Sequence, residues 1–183
     1  MNFTPAQYRF YKEANLFLQR MLQIGKDCGK VPPDTTLFLC TDNGELRKDM
    51  SAAVELRQVR RKSGKTRNYY FVYLSRAVIE VQDFDTVRHE GGHVLMGHPS
   101  NQTPGSFFMD WNDFNSYARQ ELEADYNSRR LCGMLDGLPN DLARLANLGI
   151  DFGYEPAAAY NEVKWIAREM KIPCQYMKQL VAD

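Results

Sequence analysis

The spacing of apolar residues changes along the chain, from a helical period to a strand period and back again. A Thr4-Pro5 start signal and the apolar stripe that follows it predict a helix over residues 4–26. Three short runs then predict strands, at residues 35–40, 53–60 and 68–75, and the last of them is dense in aromatic and β-branched residues. A Ser-Gly turn signal separates the last two runs and predicts a hairpin.

Helical spacing returns in the second half of the chain. Apolar and small residues recur every three or four positions and predict helices at residues 116–136, 140–148, 156–170 and 174–181. Residues 100–115 are rich in Asn, Ser, Gly and Pro, which predicts a long loop bordering a substrate cleft. The predicted class is therefore α+β, with a helix and small sheet over residues 1–80 and a helical half over residues 81–183.

Length and composition fit one domain. The chain has 183 residues, of which 44% are hydrophobic and 25% are charged, as in ordinary globular proteins. We therefore expect a single domain over residues 1–183. Acidic and basic residues balance at 23 each, so the overall charge does not favour nucleic acid or another polyanion as a partner.

Membrane and secretory patterns are missing from the sequence. No apolar run approaches the roughly 18 residues that a membrane span requires, and the first residues lack the order of a signal peptide. The four cysteines are scattered, which favours thiols in a reducing compartment, most of them as core residues. We expect a cytoplasmic protein, and the sequence does not indicate its oligomeric state.

The predicted hairpin ends in a basic turn. Five cationic residues lie within eight positions there, namely Arg60, Arg61, Lys62, Lys65 and Arg67. Such a run can contact an acidic partner or nucleic acid. A solvated turn that discourages edge pairing is the favoured interpretation, because charged residues commonly protect strand edges in this way.

The sequence HEGGH, which begins at His89, combines the residue types of a zinc hydrolase. Cap signals place it on a helix over residues 85–97, where His89 and His93 share one face with Cβ atoms roughly 5–6 Å apart. Both imidazoles can then bind one ion, and Glu90 lies beside it, ready to take a proton from water. A surface helix that carries two histidines by chance is the alternative.

A third protein ligand is needed, since catalytic zinc usually takes three ligands and a water. No histidine follows residue 98, so a carboxylate or a thiolate must serve. On the helix over residues 116–136, Glu121 and Asp125 fall in a stripe of small and apolar residues, whereas Glu123 falls on the opposite, polar face. We assign Glu121 as the third ligand and Asp125 as the acceptor of a ring N–H from a ligand histidine. Pairing of both carboxylates with arginines is the alternative.

Two further features of the motif helix need an explanation. Gly91 and Gly92 each cost a helix interior about 1 kcal/mol relative to alanine. Their presence predicts close approach of another backbone or of the third-ligand helix. His98 lies five positions after His93, so we expect it to point away from the shared face as a helix-end residue.

The two motifs together resemble a known family. HEGGHVLMGH and ELEADYNSRRLCG are similar to the HExGHxxxxH and ExxA(D/N)xxA patterns of ImmA/IrrE-type zinc metallopeptidases, and the likeness covers roughly residues 68–181. It implies a zincin-like (gluzincin-type) fold, zinc ligands at His89, His93 and Glu121, and Glu90 as the base. Gly91 departs from the usual leucine, and LCGMLDGLP replaces the usual Leu-Leu-Met-Pro stretch. The family's substrates imply a helix-turn-helix repressor as the protein that is cut.

The predicted function is zinc-dependent endopeptidase activity on a protein substrate. Since no histidine remains to stabilise the oxyanion, a backbone N–H or a tyrosine is expected to do so, the candidates being Tyr117, Tyr154 and Tyr160. A zinc-binding regulatory or interaction protein without protease activity is the first alternative, although a structural site would not need Glu90. A DNA-binding module at residues 166–181 is disfavoured because its cations are balanced by acids. Manganese or iron could occupy the same ligands.

Overall fold

Residues 3–42, 46, 50–61, 64–98, 111–178 and 180 are described in a computed structural model of the chain. Backbone contacts group the chain into two compact units, Met1–Asn101 and Gln102–Asp183. The described residues form six α-helices and one three-stranded mixed sheet, which confirms the α+β class. The prediction of a single domain stays a prediction.

The helices and strands follow the predicted order. The first unit contains α1 (Pro5–Asp27), β1 (Thr36–Thr41), β2 (Ala52–Arg60), β3 (Thr66–Leu74), α2 (Arg76–Val81) and α3 (Phe84–Met96). The second unit contains α4 (Trp111–Cys132), α5 (Leu138–Asp151), α6 (Pro156–Glu169) and the 3-10 turns Leu135–Gly137 and Cys174–Met177. The motif helix α3 thus groups with the sheet.

Strand β3 lies at the centre of the sheet. It pairs with β2 as the predicted antiparallel hairpin, with Ala52 opposite Leu74, and with β1 in parallel, with Thr36 opposite Tyr69. Side chains alternate between the two faces of a strand. One face carries apolar residues that are buried in the core of this unit, including Leu37, Val54, Tyr70, Val72 and Leu74.

Helix α1 supplies much of the rest of that core. Thr4 caps it, since its side chain accepts from the backbone N–H of Gln7 and the Gln7 side chain accepts in return. This reciprocal capping box satisfies two otherwise unpaired backbone donors. One stripe of the helix is buried, comprising Phe10, Ala14, Leu18, Met21, Leu22 and Gly25. The spacing of this stripe follows the helical period that the sequence showed.

The start of α3 corrects one prediction. Asp83 is the N-cap, and its carboxylate accepts from the backbone N–H groups of Asp85 (3.1 Å) and Thr86 (3.2 Å). The cap therefore lies two residues before the predicted one. A short additional helix, α2, was not predicted and begins after the cap residue Ser75. Capping by Asp, Asn, Ser or Thr is common, so several adjacent candidates competed in this segment.

The second unit is built from helices around its own core. Its buried apolar residues include Phe114, Leu122, Leu138, Leu142, Leu145, Val163 and Ile166. Helix α4 begins at Trp111, so the end of the loop predicted over residues 100–115 is helical, while residues 99–110 lie outside the described part. The predicted helix at 174–181 is wrong in type. Its described part forms only one 3-10 turn, anchored by the buried Met177 and Leu180.

An ion pair inside this unit gives a stability prediction. Arg129 on α4 donates from Nε and from Nη2 (3.0 Å) to the carboxylate of Asp141 on α5, and both side chains are largely buried. Arg129→Met should lower the free energy of unfolding by about 3 to 5 kcal/mol, because it leaves the Asp141 charge buried without its partner. Urea denaturation measures this, with Arg130→Met at the neighbouring exposed position as the control. Equal stability of the two variants would contradict the prediction.

Two remaining sequence predictions can be compared with the structure. All four cysteines are described, and none of them forms a disulfide. Cys28 and Cys174 are exposed, and the other two are partly buried, so the prediction that most of them fill the core is wrong. Among the described residues, no helix is both long and apolar enough to cross a membrane.

Candidate metal centre

His89 and His93 lie one turn apart on α3 and turn their rings toward each other. Their Nε2 atoms are 3.2 Å apart, with ring centroids separated by 4.8 Å and ring planes at 78°. His93 is buried and His89 is partly buried. The two nitrogens that a metal would need from this helix therefore converge on one point, as the sequence predicted.

The distance between these nitrogens agrees with the geometry of a bound ion. Two Zn–N bonds of about 2.0–2.1 Å at a tetrahedral angle hold their nitrogens about 3.3–3.4 Å apart. The 3.2 Å between His89 and His93 is close to that value. The donor set is also suitable, because neutral imidazole is a common ligand of zinc.

Glu90 lies next to the first ligand on the same helix. Only 4% of its surface is exposed. A carboxylate is expensive to bury without polar partners. Its burial, directly after His89 in the sequence, is consistent with the role of base that the sequence predicted.

The glycines of the motif were predicted to mark the close approach of another backbone or of the third-ligand helix, and at Gly91 the approach is present but the predicted partner is wrong. A Cβ at this position would lie 2.7 Å from Cε1 of Phe17 and 3.2 Å from Cγ of Met21. Real Cβ atoms do not approach ring carbons so closely. The contact at Gly91 is thus made by side chains of α1, which pack against the back of the motif helix.

His98 is the largest departure from the sequence analysis around α3. Gly97 ends the helix in the left-handed conformation (φ 75°) and redirects the chain, so that His98 returns to the helix instead of pointing away. Its Nδ1 lies 2.9 Å from Nδ1 of His93, and both rings are buried. The hydroxyl of Tyr70 donates to the backbone oxygen of His98 at 2.9 Å and holds this turn.

The contact between His98 and His93 fixes how His93 can bind an ion. A metal on Nε2 leaves the ring proton on Nδ1, which must donate to a second group. Nδ1 of His98 is in position to accept that proton. With a metal on Nε2 of His93, His98 would act as a positioning residue that accepts the Nδ1 proton of His93.

This role leads to a prediction about metal affinity. His98→Leu should weaken zinc binding by about 10- to 100-fold, the usual effect of losing a partner of a ligand histidine. His98→Asn should lose much less, because its side-chain oxygen can take the place of Nδ1. Competition titration with a chromophoric chelator measures both affinities. Equal losses in the two variants would show that His98 acts only through packing.

The carboxylates on α4 lie on the face predicted for them. Glu121 and Asp125 are both buried, and so are the small residues Ala118, Ala124 and Ser128. Glu123 is only partly buried, in agreement with its assignment to the other face. Leu131 continues the helical spacing of this stripe but is 50% exposed in the last turn of the helix.

Arg144 on α5 contacts both carboxylates and was not identified from the sequence. Its Nη2 lies 3.2 Å from Oδ2 of Asp125 and 3.6 Å from Oε2 of Glu121. Burial lowers the pKa of Arg144, but the charges of Asp125 and Glu121 oppose that effect and raise the pKa above its ordinary value. The arginine pairing considered as an alternative is therefore present.

Pairing with Arg144 is compatible with a metal ligand at Glu121. A carboxylate has two oxygens with about four lone-pair sites, and Nη2 of the arginine lies 3.6 Å from Oε2 of Glu121. The role of Asp125 as a hydrogen-bond acceptor for a ligand histidine stays a prediction. Of the candidate oxyanion donors, Tyr160 donates its hydroxyl to Asn147 at 3.1 Å, and Tyr117 lies one turn before Glu121.

Three of the predicted residues form one group of ligand atoms. A nitrogen of His89, a nitrogen of His93 and a carboxylate oxygen of Glu121 all lie within 4.8 Å of one another. This His/His/Glu group could hold a metal ion. The donor types do not distinguish zinc from manganese or iron.

Comparisons with known proteins leave the family open. Neither a protein-family model nor a curated protein nor a solved structure matches this chain. The resemblance to ImmA/IrrE-type metallopeptidases therefore rests on the two sequence motifs and stays a prediction.

Proposed function

We propose that this chain is a zinc-dependent endopeptidase with a zincin-like, gluzincin-type arrangement. The main support is the convergence of His89 and His93 at 3.2 Å, with a carboxylate oxygen of Glu121 in the same group. A buried Glu90 follows the first of these ligands directly in the sequence. A site that only stabilised the fold would need the ligands but not this additional carboxylate.

The proposed reaction is hydrolysis of a peptide bond. Zinc, when bound, supplies the Lewis acidity that makes water a nucleophile near neutral pH. Glu90 takes the proton of the attacking water and delivers it to the departing amine. His98 keeps His93 in the tautomer that leaves Nε2 free to bind. Arg144 compensates the charge of the buried Glu121 and Asp125.

The proposed substrate is a protein, and the sequence resemblance favours a helix-turn-helix repressor. A broad test comes first, because the cleaved bond is unknown. The purified chain is incubated with a proteome-derived peptide library and with a panel of such repressors, and new amino termini are mapped by mass spectrometry. We expect new termini with the zinc-loaded protein, their loss on chelation and their return when zinc is added back.

Two other outcomes would argue against the proposal. Cleavage that survives complete chelation would point to a contaminating protease or to another mechanism. Zinc binding without any cleavage across both sets of substrates would favour the alternative, a zinc-binding regulatory protein.

A further inference from the structure

The sheet of the first unit has a second face, which carries a row of aromatic side chains. On β3, Tyr69, Phe71 and Tyr73 alternate with the core residues and point to the opposite side. Phe38 on β1 lies directly opposite Phe71 in the register. We refer to these four residues as the aromatic face.

The rings of the aromatic face stack on one another. Phe38 stacks with Phe71 at 5.4 Å and with Tyr69 at 6.2 Å, and Phe71 stacks with Tyr73 at 6.4 Å, with interplanar angles of 21–24°. Phe38 is 45% exposed, Tyr69 and Phe71 are partly exposed, and Tyr73 is buried at one end of the row. An exposed row of large apolar side chains commonly marks a binding surface.

Cationic side chains lie beside Phe71 and Tyr69 in this row. The guanidinium of Arg57 lies 4.7 Å above the Phe71 ring and is paired with Glu55 at 2.7 Å. Four residues of the basic turn are described and exposed: Arg60, Arg61, Lys65 and Arg67. Hydrogen bonds from Arg61 and then from Arg67, together with their charges, lower the pKa of the Tyr69 hydroxyl. Positively charged side chains therefore lie next to the rings, although the chain as a whole has a net charge of zero.

We propose that the aromatic face and the four described cations of the basic turn together bind single-stranded nucleic acid. Bases stack on the exposed rings of Phe38 and Tyr69, and the backbone phosphates lie against Arg61 and its cationic neighbours. Stacking platforms flanked by positive charge are the usual means of binding single strands without reading their sequence. The sequence alone favoured a solvated turn for these cations, because it did not show that the row of rings lies beside them.

Two other occupants fit this surface less well. An acidic peptide would neutralise the cations but would leave the flat rings without flat partners, whereas a single strand offers a phosphate and a base in every nucleotide. A second copy of the chain, joined symmetrically, would bring two identical basic turns onto one interface, and like charges would repel. The combination of rings and cations therefore favours nucleic acid.

The test uses the full chain and fluorescein-labelled 12-nucleotide oligo(dT) and oligo(U), followed by fluorescence anisotropy. If three phosphates are contacted, the affinity should fall about 20-fold between 50 and 200 mM salt.

Phe38→Ala should weaken binding roughly 5- to 150-fold, and Phe38→Trp should restore it. The double variant Arg61→Gln, Arg67→Gln should reduce the steepness of the plot of log binding constant against log salt concentration by about 1.4. Leu16→Ala, at a 70% exposed position on α1, should change nothing.

Specific results would overturn the proposal. These are the absence of oligonucleotide binding at 50 mM salt, or binding that Phe38→Ala and the arginine pair leave unchanged. Tighter binding of an oligoglutamate peptide than of either oligonucleotide would assign the surface to an acidic protein partner. A dimer in sedimentation velocity that Phe38→Ala dissociates would assign it to a second copy. Comparison of oligo(dT) with oligo(U) shows which nucleic acid is preferred.

Discussion

Glu90→Gln should reduce the kcat for peptide cleavage by about 10²- to 10⁴-fold, the range expected when a general base is removed. Glutamine has the size of glutamate and can occupy the same buried position, but it cannot accept the proton of the attacking water. The zinc content should stay at the wild-type level, because Glu90 is not one of the three residues that contribute ligand atoms. Single-turnover cleavage assays and elemental analysis on the same samples measure both quantities.

The matched control for this variant is Glu80→Gln. Glu80 lies on α2 in an exposed ion pair with Arg76, and such pairs contribute little to stability. The Glu80→Gln variant should therefore keep the wild-type cleavage rate and the wild-type zinc content. If Glu90→Gln retained full activity, the proposed base would be wrong. If it lost zinc together with activity, Glu90 would belong to the metal ligands instead.

Glu121→Gln should weaken zinc binding by more than the 10- to 100-fold expected for a partner of a ligand, because it removes the one anionic donor of the group. Zinc at 100 times its Kd should stabilise the wild-type fold by about 2.7 kcal/mol. This corresponds to a rise of roughly 5–10 °C in Tm for a chain of this length. In Glu121→Gln the rise should be largely absent under the same conditions. Differential scanning fluorimetry with and without zinc measures it.

Glu123→Gln is the control on the same helix. Glu123 lies two residues away and is only partly buried, so its variant should bind zinc like the wild type. If both variants lost zinc equally, the effect would come from the charge of the helix and not from a specific ligand. If neither lost zinc, the third ligand would be another residue.

Local sequence patterns predicted most of the elements that position the candidate site. The helical period between Thr4 and Lys26 and the aromatic run of β3 set the first helix and the hairpin correctly. The ends of the helices were less predictable. Several residues around Asp83 can cap a helix, and tertiary packing selects among them. The described part of the last predicted helix is one 3-10 turn, because short segments depend on packing more than on propensity.

The candidate site was predictable where it depends on helical periodicity. The i, i+4 spacing placed His89 and His93 together, and the buried stripe of α4 distinguished Glu121 from Glu123. Arg144 was missed because its contact with Glu121 joins two helices, and no periodicity within one helix encodes such a contact.

His98 was missed for a different reason. The helical rule was extended beyond the end of α3, although Gly97 ends that helix in the left-handed conformation. Gly97, at the position where the predicted helix ends, could have indicated the reversal, since glycine is the usual residue at such a helix end. Gly97 thus marked the end of the helix in the sequence, but the helical period was still applied to His98, which lies beyond that end.

The central claim is that one divalent ion is bound by two imidazoles of α3 and by the carboxylate of Glu121. X-ray absorption spectroscopy at the zinc edge, on protein loaded with one equivalent, tests it most directly. The account predicts two histidine nitrogens at about 2.0–2.1 Å and oxygen donors at about 2.0–2.2 Å, with the imidazole signal halved in His93→Ala. A sulfur shell at about 2.3 Å, fewer than two imidazoles, or failure to retain zinc would contradict it.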